Sequence, residues 1–169
     1  HHRANGPLRG TKADVWEGGH RVPFFARWPK VVKAGSVCDV PICHVDFFAT
    51  AAAAAGSRLP PPSEAAPDSF SLLPLLQGKE KSFRRAPVVH HSSSGMFAVR
   101  EGDWKLVLGN GSGGRQKPRG SRFTPPWQLF NLKDDLAETT DLLSARPEVA
   151  AKLEAALFKT LADDRSRPR

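Results

Sequence analysis

The sequence predicts an α+β chain. Its first half is irregular and holds one strand and one helix, and a small four-stranded antiparallel sheet with a C-terminal helix follows. Three observations lead there. An alanine run, Ala51 to Ala55, ends at Gly56; four short apolar runs lie between residues 86 and 132; and apolar residues recur at helical spacing after Pro147.

Residues 1–14 are rich in Gly, Pro and basic side chains and read as a loop. Val22-Pro23-Phe24-Phe25-Ala26-Arg27-Trp28, bounded by Gly18-Gly19 and Pro29, fits a buried strand with its proline near the beginning. A basic turn over residues 30–39 follows. Asp46-Phe47-Phe48-Ala49-Thr50 leads into the alanine run. Ala is the strongest helix former and Gly56 suits the position just past a helix end, so the spacing predicts a helix packing closely against a sheet. Residues 57–69, with Pro60-Pro61-Pro62, read as a surface linker. Residues 70–76 predict one short helical turn ending before Gly78.

From there the pattern changes. Residues 86–91, 96–101 and 104–108 are short runs with tight polar joints, the pattern of an antiparallel meander, and residues 128–132 return as a fourth strand. Residues 109–126 form a Gly/Arg/Pro loop carrying Arg115, Lys117, Arg119 and Arg122. Its plainer reading is a disordered solvated loop, and a loop gripping an anionic substrate is the sharper one. Pro147 suits a first helical position, and Val149, Leu153, Ala156, Leu157 and Leu161 fall on one face.

The 169 residues are enough for one moderate domain, or for a subdomain plus part of a neighbour. With 40% hydrophobic and 25% charged residues, the composition can supply a core and argues against global disorder. The 14 Gly and 15 Pro, against roughly 12% combined in average proteins, favour long irregular connections. A formal net charge of +8 suits anionic partners such as sulfated sugar, nucleic acid or anionic lipid. No apolar run approaches the roughly 20 residues of a membrane span. The start at His1-His2-Arg3, without an initiating Met or a signal peptide, reads as a fragment or the remnant of a tag. The two cysteines, Cys38 and Cys43, have no zinc-site spacing and read as buried thiols.

Taken alone, Lys12 is a loop lysine of the kind water usually solvates. Its neighbours raise its interest: Glu17-Gly18-Gly19 permits tight backbone geometry, and Glu17 and Arg21 could brace the turn by ion pairing. His90-His91 lies on a predicted strand, where adjacent side chains point to opposite faces, so the two cannot easily chelate one ion. One faces the core, and the other is free to touch a ligand. His20 and His44 read as structural. Gly109 to Arg115 lacks the Gly-Lys-Ser/Thr ending of a phosphate loop, and no Gly-x-Ser-x-Gly elbow is present.

Several motifs occur in order: Pro7-Leu8-Arg9-Gly10-Thr11-Lys12, Glu17-Gly18-Gly19-His20-Arg21-Val22-Pro23 and Arg27-Trp28-Pro29, then His44-Val45-Asp46-Phe47-Phe48-Ala49-Thr50 and residues 68–78. Trp104-Lys105-Leu106 and residues 128–142 come last. Together they resemble the C-terminal part of the sulfatase family of the alkaline-phosphatase superfamily. The resemblance implies that residues 1–78 end the α/β catalytic domain and its core sheet, and that 79–169 form the C-terminal subdomain. It implies hydrolysis of aryl or carbohydrate sulfate esters, with Lys12 contacting the sulfate and His90, His91 and Arg115 as candidate substrate contacts. Thr11 and Ala13 stand where the family often has Gly around this lysine.

The family's formylglycine nucleophile, made from Cys/Ser-x-Pro/Ala-x-Arg, and its calcium-binding aspartates have no counterpart in this sequence. Cys38 and Cys43 lie in other contexts. The chain alone is therefore expected to be inactive and to need the N-terminal part of the protein, which the family would place in the periplasm or outside the cell. No nucleic-acid partner and no membrane span are expected. The alternative is a non-catalytic basic module binding sulfated polysaccharide or other polyanions.

Overall fold

A computed structural model describes residues 4–168, so the first three residues of the predicted N-terminal loop lie outside it. The described chain forms two compact units, residues 4–22 with 89–159 and residues 23–88 with 160–168, a grouping that cuts across the sequence division at 78/79.

The first unit is built on the predicted antiparallel sheet, β1 (Val88–His91), β2 (Phe97–Glu101), β3 (Trp104–Val107) and β4 (Gln128–Asn131), in the order β1-β2-β3-β4. The β2–β3 turn is Gly102-Asp103, with Gly102 at φ 58°, a conformation that favours glycine. Arg100 pairs with Lys105 across β2 and β3, and Lys105 with Phe130 across β3 and β4. One core cluster joins Met96, Ala98, Val107, Phe130 and Leu132 to Val15 and Trp16. The segment carrying Lys12 is thus anchored on either side, by loop contacts before it and by buried aromatic and aliphatic side chains after it.

α1 (Glu17–His20) follows directly. Its two glycines are required by space: a Cβ on Gly18 would lie 2.4 Å from the Gly10 carbonyl oxygen, and one on Gly19 would lie 2.0 Å from that of Asp14. α4 (Pro147–Asp163) starts at the predicted proline, with Glu148 in its first turn, and buries Ala150, Leu153 and Leu157. Within this unit Lys152 pairs with Glu101 at the end of β2, and Phe97, Phe123 and Phe158 form a stacked row.

The loop over 109–126 is tied down, which corrects the disordered reading. Ser112 and Gly113 donate backbone N–H groups to the carbonyls of Pro118 and Arg119, and Asn110 Oδ1 accepts from Ser121 N at 2.9 Å. Glycine makes this possible, because a Cβ on Gly111 would lie 2.4 Å from the Pro118 oxygen.

In the second unit, α2 (Asp46–Ala54) ends as expected, with Gly56 at φ 68°. Its neighbour is α3 (Leu73–Leu76), rather than a sheet. Asp46 is fully buried and ties the unit together: its carboxylate accepts from Cys43 N and Phe70 N and pairs with Arg85. Ser69 Oγ accepts from Ala49 N, and Thr50 Oγ1 accepts from Leu72 N.

Two expectations fail here. Residues 22–28 form no strand, whereas the exposed apolar surface expected around Phe24 and Phe25 for a run without its partner strands is present, Phe25 being 92% exposed. A strand requires a hydrogen-bonding neighbour, and no other described segment pairs with this one. Cys38 is exposed rather than buried, and both thiols are free.

Candidate functional site

Lys12 sits at the exposed crest of a turn whose other positions are all bonded. Gly10 at φ 86° lets the chain enter the turn, and Asp14 N donates to Thr11 O at 2.9 Å to close it. The Asp14 carboxylate accepts from Thr11 N at 2.8 Å. Ala13 O accepts from Ser93 N, Val15 N donates to Ser112 O, and Val15 O faces His90 Nε2 at 3.2 Å. Ala13 is held at φ 91°, where a side chain is strained. Among the described residues no ion pair involves the Lys12 ammonium, so its charge remains available to an anion.

Behind the turn lies an ionic cluster that sequence reasoning missed. Lys105, on the central strand β3, is fully buried. Its Nζ lies 3.0 Å from Glu17 Oε1, 2.8 Å from Glu138 Oε1 and 3.1 Å from His20 Nε2. The Glu138 contact is off the line of a good hydrogen bond, so charge holds it more than alignment does. Glu138 Oε2 accepts from Glu17 N at 2.6 Å, and Arg9 donates to Glu138 O at 2.7 Å while its guanidinium lies over the Trp16 ring. The expected Glu17–Arg21 pair is present at 3.5 Å, secondary to Lys105, and Arg100 adds a contact at 3.4 Å.

An ammonium has only hydrogens to give, so His20 Nε2 accepts from Lys105 and the ring proton sits on Nδ1. Burial, with Lys105 beside it, pushes the His20 pKa down to about 4. Burial, then Lys105 and His20, lowers that of His90 as well. Burial acts to raise Glu17, but Lys105 and His20 outweigh it and hold this carboxyl below its usual value. For Glu138 burial prevails over Lys105, and its pKa is raised.

The two strand histidines part as expected. His90 is turned onto Val15 O, with its ring 3.8 Å from that of His20. His91 is exposed, beside Phe97, and precedes the Ser92–Gly95 turn that reaches Ala13 through Ser93 N. Arg115 is exposed, and its backbone N–H donates to Asp14 Oδ1 at 2.6 Å. The fold therefore brings the Arg115 segment to the Lys12 turn, while the His90 ring is occupied within the protein.

The sulfatase family model matches residues 1–57, the stretch that includes Lys12 and Glu17-Gly18-Gly19. Over 167 residues the chain is 31% identical to the N-acetylgalactosamine-6-O-sulfatase of Bacteroides thetaiotaomicron, covering 92% of this chain and 30% of that protein. The chain belongs to the sulfatase family. Human steryl-sulfatase is 40% identical over 100 residues, 59% of this sulfatase chain and 17% of that protein. A solved chain connected with glycosaminoglycan metabolism by Bacteroides thetaiotaomicron superposes with a TM-score of 0.76 at 29% identity, over 92% of this chain and 32% of that one. The sulfatase chain thus spans at most about a third of the length of these relatives and corresponds to their C-terminal part. No helix among its described residues is long and apolar enough to cross a membrane.

Proposed function

We propose that the complete protein hydrolyses sulfate esters of carbohydrate or aryl type, and that this chain supplies Lys12 as the cation meeting the sulfate group. One observation carries the reading: Lys12 is exposed, and among the described residues in no ion pair, on a turn whose backbone is fixed on both sides. A cation held in place before the reaction balances the sulfate's negative charge during S–O cleavage without reorganising. Arg115 and His91 would touch the rest of the substrate, a reading supported by their exposure on segments bonded to the same turn.

Among the described residues no three His, Cys, Asp or Glu side chains could hold a metal ion. Glu17 and Glu138 are committed to Lys105, and Asp14 to backbone N–H groups. These residues therefore do not fit calcium. In this reading the formylglycine and any calcium ligands belong to the remainder of the protein, and the chain alone is inactive.

The test is sulfate release by the complete protein from 4-nitrophenyl sulfate and from 6-O-sulfated N-acetylgalactosamine. Release from at least one is expected, and release from neither contradicts the proposal. The exposed Arg115, Lys117, Arg119 and Arg122 favour a second reading, a polyanion-binding module. It would be supported by salt-sensitive retention of the folded chain on heparin resin together with absent hydrolysis.

A further inference from the structure

The geometry points to Asp14 as the positioning residue for Lys12, the group that fixes the lysine turn against the Arg115 segment. The inference rests on the role proposed for Lys12 and adds how that lysine is held. Asp14 is 2% exposed, and among the described residues no cation pairs with its carboxylate. It is satisfied by backbone donors from two segments about 100 residues apart in sequence. Oδ2 accepts from Thr11 N at 2.8 Å, with Thr11 Oγ1 at 3.4 Å; Oδ1 accepts from Arg115 N at 2.6 Å and Gln116 N at 3.2 Å.

Each oxygen therefore serves one segment, and Lys12 lies between the two tethered ends of its own turn. The approach is close enough to require a glycine on the far side: a Cβ on Gly114 would lie 2.4 Å from both Asp14 Oδ1 and Ala13 O. Two further bonds knit the same junction, Ser93 N to Ala13 O and Ser94 Oγ to Gly113 O. Thr11 and Ala13 occupy positions where a more flexible residue would let the turn drift, and Ala13 at φ 91° is held against its own preference. A carboxylate is suited to this junction because it accepts on both oxygens. Asparagine accepts on one only, and its amide group would face an N–H of the other segment.

The experiment uses the complete protein as wild type, Lys12→Ala, Asp14→Asn and the double variant, with kcat and KM measured separately on 4-nitrophenyl sulfate. A displacement of about 1 Å in a catalytic group costs about 100-fold. Asp14→Asn should therefore lower kcat at least tenfold, with little change in KM. In the Lys12→Ala background the same change should cost less than twofold, because the group it positions is gone. A smaller loss in the wild-type background, or a comparable loss in both backgrounds, overturns the inference. If Lys12→Ala turns over like wild type, the proposed role of Lys12 fails and this inference fails with it. If Lys12→Ala is impaired while Asp14→Asn is not, only this inference fails.

Should Asp14→Asn not fold, hydrogen exchange in the wild-type protein decides. The amides of Arg115 and Gln116, in exposed residues, should exchange at least tenfold more slowly than that of exposed Lys117, and equal rates overturn the inference.

Discussion

Replacing Lys105 by Met removes a buried cation and leaves its two carboxylates in place. Glu17 and Glu138 are both fully buried, and Lys105 Nζ lies 3.0 and 2.8 Å from them. After the change Glu17 keeps Arg100 at 3.4 Å and Arg21 at 3.5 Å, whereas the Glu138 carboxylate keeps the Glu17 N–H at its far oxygen and the nearby charge of Arg9, with no ion pair among the described residues. Breaking a buried pair from one side costs about 3–5 kcal/mol. Each 1.4 kcal/mol is a factor of ten, so opening of β3 should become about two to four orders of magnitude easier. Hydrogen exchange of the Leu106 and Val107 amides in the complete protein measures this.

The loss should shrink between pH 8 and pH 5. Without Lys105 both carboxyls gain protons more readily in the folded state, which relieves the uncompensated charge. Adding Glu138→Gln to Lys105→Met should recover part of the loss, because it removes the less compensated acid. A loss below about 1 kcal/mol, or one independent of pH, would refute the claim that this cluster is a mutually dependent ionic unit.

Three further outcomes follow from the same geometry. His20, lowered to about 4 from 6.5, binds fewer protons folded than unfolded, so stability rises with pH across that window and falls as pH drops through it. The His20 contribution is at most about 3 kcal/mol; His90 acts in the same direction and Glu138 against it. Thermal midpoints should be lower at pH 4.5 than at pH 6.5, with a smaller difference in His20→Gln; an equal or higher midpoint at pH 4.5 contradicts this. Ala13→Gly relieves a strain of about 1–3 kcal/mol and adds about 1 kcal/mol of unfolded-state entropy. A net gain of about 1 kcal/mol in denaturant unfolding is expected, and a net loss would show that the turn is not strained. Phe25, 92% exposed beside half-exposed Phe24, should make the isolated chain self-associate in sedimentation, with Phe25→Ser weakening it; a monomeric wild-type chain at the same concentration contradicts this.

The sheet was legible because its strands are short, local and divided by strong turn residues. The α2 end was legible for the same reason, since an alanine run and a following glycine act within a few residues. The run over 22–28 misled because apolarity reports that a segment seeks burial without saying whether a partner strand lies in the same chain. The loop over 109–126 misled differently. Its glycines read as flexibility, yet Gly111, Gly114 and Gly120 serve close backbone approach. The Lys105 cluster was hidden because a lysine in a strand ordinarily reads as solvent-facing and its partners are distant in sequence. A signal did exist: Glu17, Lys105 and Glu138 each fall inside a segment that carries the family resemblance, and their opposite charges could have been paired. Lys12 was legible through its motif, but the Asp14 link from its turn to Arg115 exists only in three dimensions.

The central claim, that this chain contributes a working cation to a sulfatase site, is tested most directly by one comparison. It sets kcat of the complete wild-type protein beside Lys12→Ala on a sulfate ester, with thermal midpoints measured alongside. Loss of a preorganised charge contact of this kind costs about 100- to 1000-fold. A loss of that size with an unchanged midpoint is the expected result, because the Lys12 side chain is exposed and takes part in no ion pair among the described residues. Turnover within about threefold of wild type, in a protein equally well folded, would contradict the claim.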